Sequence, residues 1–557
     1  MHTTINRRNI LRLLSFGAGA ALAPTRETYG ANVFNIRDFG ATGDPAQKCT
    51  TILQQALDKC HTSGGGMLTL PAGTYTTGTI YLRNRVNLHL EAGAVLKASG
   101  QQSDYPKLYK KRYGNDRAVI AAHNCTDITI SGEGVIDGNA PAFMDFTTEH
   151  DSKGYDPRRV RQGFDYRAKF PDGPGKPLRG EGNMEIRYKC LFLLSECQNV
   201  RFENFTLRDS ARRAVRFHRC DGVTVQGMRI RNHQSVPNSD GIHCTMSRNV
   251  NIADCDFICG DDAITLTGMD GMPGDWTEDI TVTNCVLQSR SSAIRVGYES
   301  GGVRRCTFRN ITIQNSNRGI GVYSRKEGGV RDVEFSDITI ETRLHSGWWG
   351  TGEPIHISAV PKNKRLAPGV IENVRFQNIQ AVGETGIIIY GSDFQRIRNV
   401  TFEDMHLRMR NSPLQKSFGG NFDLQQHTQR NLCVFQHDIP GLYARGFDGL
   451  TLRNFTLEWG NSMPQFCSHG LEIEEFWNFT VDGFHGRQAH VGDSRAAIVL
   501  RSGREVSIRN SRAAQGAGTF VKLDNVVDAG EFANNDLRQA KRAGDVEQFA
   551  MSENRMP

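Results

Sequence analysis

Asn199-Val-Arg-Phe-Glu-Asn-Phe-Thr-Leu207 is followed by Gly222-Val-Thr-Val-Gln-Gly-Met-Arg-Ile230 and Asn249-Val-Asn-Ile-Ala-Asp-Cys-Asp-Phe257. Each segment alternates apolar and polar residues, turns on Asn, Asp or Gly, and alternates again. A period of two puts one side chain in and the next out, which is the signature of a half-buried strand. The unit first shows as Thr126-Asp-Ile-Thr-Ile130 and recurs as Asp279-Ile-Thr-Val-Thr-Asn-Cys-Val-Leu287 and Arg331-Asp-Val-Glu-Phe-Ser-Asp-Ile-Thr-Ile340. Later copies are Asn399-Val-Thr-Phe-Glu-Asp-Met-His-Leu407, Gly449-Leu-Thr-Leu-Arg-Asn-Phe-Thr-Leu457 and Glu505-Val-Ser-Ile-Arg-Asn510. Matching positions Val200, Val223, Val250 and Ile280 are spaced by 23, 27 and 30 residues.

An all-β repeat of this kind admits a propeller blade or one coil of a solenoid. A blade needs four strands in about 40 residues or more, so these repeats are too short. The pattern therefore predicts an all-β parallel β-helix, with Asn and Gly supplying the left-handed corners. The 58 glycines among 557 residues fit such corners and count against a helix-rich fold. At about 150 residues per domain the length suggests three or four domains. A solenoid instead grows as one, and we expect a single one over residues 32–540. Residues 50–61 place Ile52, Leu53, Ala56 and Leu57 on one face, predicting a helix that caps the first coil. Departures from the repeat at 138–190, 344–370 and 411–446 read as loop excursions, where recognition usually resides.

Composition narrows the partners. Lys+Arg 67 against Asp+Glu 60 gives a net charge of +7 with no basic block, which counts against nucleic acid. Arg7, Arg8 and Arg12 precede a short apolar run over residues 13–23, with Ala-x-Ala sites ending at Ala20 and Ala23. This describes an export signal over residues 1–23, and the paired arginines resemble a twin-arginine signal. The mature chain is then expected outside the cytoplasm, periplasmic or secreted, at +4 (7 − 3) and with no membrane anchor. The 13 cysteines include no CxxC pair. Cys125, Cys197 and Cys220 open repeats while Cys255, Cys285 and Cys306 lie within strands, so stacked buried thiols are expected.

Two acidic clusters stand out, Pro237-Asn-Ser-Asp240-Gly241 and Gly260-Asp261-Asp262-Ala263. Asp240 and Asp261 are 21 residues apart, close to one coil, so a solenoid stacks the clusters on neighbouring rungs. Three crowded carboxylates drive one pKa up and others down. Glycoside cleavage needs that combination, an acid for the leaving oxygen and a base for water. Either motif alone is ordinary turn chemistry; the stacked pair is what carries the reading.

Asn238-Ser-Asp-Gly-Ile-His243 and Cys259-Gly-Asp-Asp-Ala-Ile264 resemble the NTDG and GDD signatures of the polygalacturonase family of glycoside hydrolases, family 28. The resemblance extends to Phe34-Asn-Ile-Arg-Asp-Phe-Gly-Ala-Thr-Gly-Asp44, Leu70-Pro-Ala-Gly-Thr-Tyr75 and Gly132-Glu-Gly-Val-Ile-Asp-Gly138, covering roughly residues 32–400. It implies a right-handed β-helix that cleaves by inversion. Asp261 would be the general acid, Asp240 and Asp262 would activate water, and no metal or cofactor would be required. The family's Gly-His-Gly element is replaced by Ser291-Ser292-Ala-Ile-Arg295-Val-Gly297. Its Arg-Ile-Lys, which grips the galacturonate carboxylate, is replaced by Arg318-Gly-Ile-Gly-Val-Tyr323-Ser-Arg325. The acid/base groups are kept and the sugar pocket is rebuilt.

Pocket candidates follow from rung position: Arg295 and Glu299 on the rung after the Asp pair, Tyr323 and Arg325 on the next. Arginine forks suit carboxylate or sulfate, so an anionic sugar fits; mutual pairing of Arg295 with Glu299 is the alternative. His218, in Arg216-Phe-His-Arg219, matches a histidine common one rung before the first Asp cluster, where a scaffold role is equally open. His243 could approach the carboxylates, though scaffold is the default for it. Trp348 and Trp349, in a polar glycine-flanked loop, suit a sugar platform. Residues 157–169 are basic with Phe164 and Tyr166 interleaved, and could draw an acidic glycan.

The sequence thus predicts an exported hydrolase of a polysaccharide or oligosaccharide, with exo action favoured by loops that can close one end of a groove. A lyase or epimerase on the same scaffold, commonly with calcium, is a second class. A non-catalytic glycan-binding solenoid is a third.

Overall fold

The repeated segments stack in register. A computed structural model describes residues 32–108, 117–149, 175–180, 185–269, 271–345, 350–363, 365–414, 420–424 and 434–557. In it Val200, Val223, Val250, Ile280, Cys306, Val333, Val374 and Val400 are partners on successive parallel rungs. The chain forms a right-handed parallel β-helix with three sheets. The expected export signal at 1–23, Trp348, Trp349 and the basic stretch 157–169 lie outside the described residues.

The first sheet passes through Cys190–Ser195, Arg213–His218, Ile242–Thr245, Ile264–Thr267, Ser292–Gly297, Arg318–Ser324 and Ile355–Ala359. The second holds Gln198–Glu203, Asp221–Gln226 and Arg248–Ala253; the third holds Thr206–Arg208, Arg229–Arg231 and Asp256–Cys259. From Trp276–Ser289 onward, second- and third-sheet strands run on as one, bent at a left-handed residue such as Asn284 (φ 54°) or Asn310 (φ 53°). The Asn corners also bond one another: Asn310 Nδ2 donates to Asn284 Oδ1 at 2.8 Å, and Asn284 Nδ2 to Asp254 Oδ1 at 3.1 Å. A side-chain amide can donate up and accept from below, which is why Asn repeats at this corner.

Stacking at the rung spacing puts like on like inside the coil. Phe308, Phe335, Phe376 and Phe402 lie face to face with centroids 4.9, 4.9 and 4.7 Å apart. Cysteines follow the same rule. All 12 described cysteines are free thiols, as expected for small apolar fillers, and Cys197, Cys255, Cys285 and Cys306 each donate to the carbonyl two residues before.

The capping helix spans Thr50–Thr62 and buries Leu53, Ala56, Leu57 and Cys60, leaving Ile52 at the edge of the face. At the other end the last strand is Ala550–Ser552, beyond residue 540. Two excursions carry antiparallel pairs of their own, Met144–Glu149 with Gly175–Pro177 and Asn421–Asp423 with Val434–Gln436. Second-sheet strands alternate buried and exposed positions, but Cys190–Ser195 is buried throughout. Something covers the outer face of the first sheet, and that is where the acidic clusters sit.

Candidate active site

The turns before Ile242–Thr245 and Ile264–Thr267 bring the two acidic motifs together. Gly241 N donates to Asp262 O at 2.9 Å, so the Asp240 and Asp262 positions are neighbours across the ladder. Both motif glycines are needed for that approach. A Cβ on Gly241 would lie 2.3 Å from the Ala263 carbonyl oxygen, and one on Gly260 would lie 2.6 Å from that of Val236. Ser239 ties the rungs: its Oγ donates to Val236 O at 2.8 Å and accepts from Gly260 N at 3.1 Å. One oxygen each of Asp240, Asp261 and Asp262 then falls within 4.8 Å of the others.

Their environments differ, and that sets their charges. Burial alone would push the Asp240 carboxyl up, but His243, Arg213 and Arg295 outweigh it and hold it down at about 2. His243 Nε2 lies 2.7 Å from Asp240 Oδ2. Burial, against the pull of Asp240, brings the His243 imidazole down to about 4, so it is neutral near pH 7 and donates its Nε2–H. Asp262 faces Arg295, whose Nε is 2.7 Å from Oδ2, and accepts Ser292 N at 3.1 Å on Oδ1. Among the described residues Asp261 has no cation at contact distance and accepts neutral N–H donors, Asp262 N at 2.9 Å and Asn238 Nδ2 at 3.3 Å. Burial, then the charges of Asp240 and Asp262, push Asp261 well above the ordinary carboxylate range. The Asp261 carboxyl is thus pushed up while that of Asp240 is held down. The trio could also ligate a hard cation, although His243 and Arg295 already occupy one oxygen each on Asp240 and Asp262.

The predicted pocket residues divide. Arg295 stands beside Asp262 with its guanidinium 5.3 Å from the Tyr298 ring centroid. It does not pair with Glu299, which instead binds Lys326 Nζ at 2.5 Å. The backbone explains the change: Gly297 (φ 91°) and Tyr298 (φ 98°) break the alternation and turn Glu299 away from the Arg295 face. Tyr323 and Arg325 are fully buried behind the groove, where Arg325 donates to the carbonyls of Leu424 and Val360. His218 is buried beside Arg216, 3.4 Å from its Nη2, in register with Thr245.

Several participants escaped the sequence reading. His243, taken there as scaffold, bonds directly to Asp240. Arg318 Nε donates to Glu353 Oε1 at 2.6 Å, and His356 Nδ1 lies 3.1 Å from the same oxygen, a buried polar set that joins the Tyr323 rung to the next. Arg187, Arg212 and Glu185 gather one rung before Asp240. Among the described residues a second possible ligand trio, His437, Glu472 and Glu474, has its carboxylates bound by Arg501.

The site is a trio of buried aspartates on one face of a parallel β-helix. Residues 177–417 match the model of glycosyl hydrolases family 28, and the relatives that the chain resembles are polygalacturonases. A Vitis vinifera protein named probable polygalacturonase is 28% identical over 346 residues, covering 58% of this chain and 63% of that one. An exo-poly-alpha-D-galacturonosidase of Dickeya chrysanthemi is 25% identical over 342 residues, covering 57% and 56%. The chain thus spans about 60% of the length of these relatives. The exopolygalacturonase of Thermotoga maritima shares the fold, with a TM-score of 0.57 at 20% identity over 77% of this chain and 92% of that one.

Proposed function

We propose that this protein is a glycoside hydrolase of polygalacturonase type that removes sugars from the end of a pectic or related glycan. The observation that carries this is the arrangement of the trio: one oxygen each of Asp240, Asp261 and Asp262 lie within 4.8 Å, His243 is on Asp240, Arg295 is on Asp262, and burial with its two neighbours pushes the Asp261 carboxyl up. In the mechanism, Asp261 passes its proton to the leaving glycosidic oxygen. Asp240 and Asp262 draw a proton from the water that attacks the anomeric carbon. Arg295 holds Asp262 at 2.7 Å and His243 orients Asp240.

Exo action is supported by excursions on both sides of the trio. On the N-terminal side Gly175 N donates to Ser235 O at 2.6 Å and Phe146 packs on His233 with centroids 4.3 Å apart. On the C-terminal side Gly350 N donates to Asp423 Oδ2 at 2.8 Å, joining two excursions over the Arg318 rung. The names of the Dickeya and Thermotoga proteins point the same way. The test is product analysis on oligogalacturonides and a panel of other glycans. Exo hydrolysis gives one small saturated product from the first time points; a ladder of sizes refutes exo action, and an unsaturated product refutes hydrolysis.

The stereochemistry belongs to the same proposal. The family resemblance implies inversion, whereas trio oxygens within 4.8 Å are closer than the roughly 6.5–9.5 Å usual between inverting carboxyls. The anomer first released, read by proton NMR, decides between them. We also propose export through the N-terminal segment, supported by Arg7-Arg8 and the apolar run after them. Replacing both arginines by lysine should leave the protein in the cytoplasm; unchanged export would refute a twin-arginine route.

A further inference from the structure

On the N-terminal side of Asp240 three guanidiniums gather, two of them, Arg187 and Arg212, on the single carboxylate of Glu185. Arg187 is buried and held: Nη1 donates to Ala211 O at 3.0 Å and Pro237 O at 2.7 Å, and Nη2 to Glu185 Oε2 at 2.9 Å. Arg212 has one bond, Nη1 to the same Glu185 oxygen at 3.3 Å. Arg213 lies beside Asp240 on the ladder, yet its Nε is 3.9 Å from Asp240 Oδ1, outside hydrogen-bond reach. The Nε atoms of Arg212 and Arg213 are buried with no partner among the described residues. Both side chains still reach the groove, each 18% exposed. The crowding registers electrostatically: burial, then Arg213 and Arg187, pull the Arg212 guanidinium down to about 10.

Such an arrangement is costly unless something negative completes it. Buried N–H groups without acceptors are rare, and like charges at close range repel. Arginine forks match the two oxygens of a carboxylate. On the other side of the trio the pairing is closer, Arg318 Nε to Glu353 at 2.6 Å and Lys326 Nζ to Glu299 at 2.5 Å, against 3.3 Å for Arg212 to Glu185 and 3.9 Å for Arg213 to Asp240. The stretch set against Arg-Ile-Lys is Arg318-Gly-Ile-Gly-Val-Tyr323-Ser-Arg325, whose two arginines are engaged by Glu353 and by the carbonyls of Leu424 and Val360.

We infer that Arg212 and Arg213, braced by Arg187, form a carboxylate-binding subsite on the N-terminal side of the aspartate trio. It would take the acidic group of a uronic sugar lying across Asp240 from the rung where the family's clamp would stand. Recognition of charge has thereby moved from one side of the scissile bond to the other. The substrate this fits carries an acidic residue on the Arg212 side, with a neutral or esterified sugar accepted on the Tyr323 side. The inference rests on the trio being the cleavage site, as proposed above.

The test uses the full chain carrying Asp261→Asn, with binding of oligogalacturonates and their methyl esters measured by calorimetry. Free acid should bind about tenfold tighter than ester, the effect of one charge-assisted hydrogen bond. Adding Arg212→Gln should abolish that preference. Adding Glu185→Gln should do the opposite, freeing Arg212 and tightening free-acid binding several-fold with the ester unchanged, a gain that misfolding cannot produce. An acid-to-ester ratio unmoved by both substitutions would overturn the subsite. Because binding is read without turnover, a protein that cleaves nothing would sink the hydrolase proposal and leave this outcome readable.

Discussion

His243→Leu is the substitution that probes the site most directly. The imidazole donates to a buried carboxylate at 2.7 Å, and leucine removes the donor while keeping an apolar filler. A hydrogen bond to a charged group contributes about 1.5–3 kcal/mol, which at 1.36 kcal/mol per unit is about one to two pKa units. Asp240, held at about 2, should then titrate as an ordinary carboxylate, about 3 to 4. The assay is kcat/KM against pH on an oligogalacturonide, whose acid limb reports protonation of the base. The limb should move up by one to two units, and His243→Gln, which keeps an N–H donor, should return most of it. Stability follows the same sign. Asp240 is lowered in the folded state, so its contribution is full above the unfolded value and lost as pH falls through about 2; in the leucine variant that loss begins at higher pH. Melting curves should also lose a slope of wild type, whose neutral His243 favours folding above its unfolded pKa of about 6.5 and loses that effect as pH falls toward 4. An acid limb that stays in place in a leucine variant with native melting would refute the reasoning, because Asp240 would then not be the base that the pH profile reads.

Four other outcomes are expected. Asp261→Asn should lower turnover by about 10²- to 10⁴-fold, the range for a general acid, with circular dichroism unchanged. In wild type the alkaline limb should fall well above the ordinary carboxylate range, since Asp261 must stay protonated; its disappearance in Asp261→Gln with residual activity would confirm the assignment. Phe335→Ala opens a gap between two stacked rings and should destabilise by about 3–5 kcal/mol in denaturant unfolding. Gly241→Ala forces a methyl onto the Ala263 carbonyl; it should lower stability by about 1–3 kcal/mol and reduce turnover by more than Phe335→Ala does.

The fold was legible because a solenoid writes itself into the chain once per coil. Val200, Val223 and Val250 are partners in space because their rungs repeat the same alternation, and the Asn corners recur because each bonds the next. The trio was legible for the same reason, a separation near one coil. What the sequence hid are contacts made by departures from the repeat. Glu185 belongs to the 138–190 excursion, and nothing in its neighbours shows that it folds back onto Arg212, 27 residues on. Glu353 and Asp423 reach Arg318 from two different excursions. Glu299 was misplaced because Gly297 and Tyr298 interrupt the alternation, and a positive φ at tyrosine has no sequence signal. His243 was visible three residues from Asp240, but an alternating strand separates residues i and i+3. Only the turn at Gly241 brings them to one side.

The position of the proton follows from how cations are distributed across rungs. Asp240 is answered by His243 on its own strand and by Arg213 one rung before; Asp262 is answered by Arg295 one rung after. Asp261 lies between these and receives only amide donors. A shared proton goes to the carboxylate whose ionised form is least supported, and among the described residues that is Asp261, the acid proposed above. Each supporting cation comes from a different rung. A residue can therefore be exchanged on one rung without removing the cation that another rung supplies to the trio.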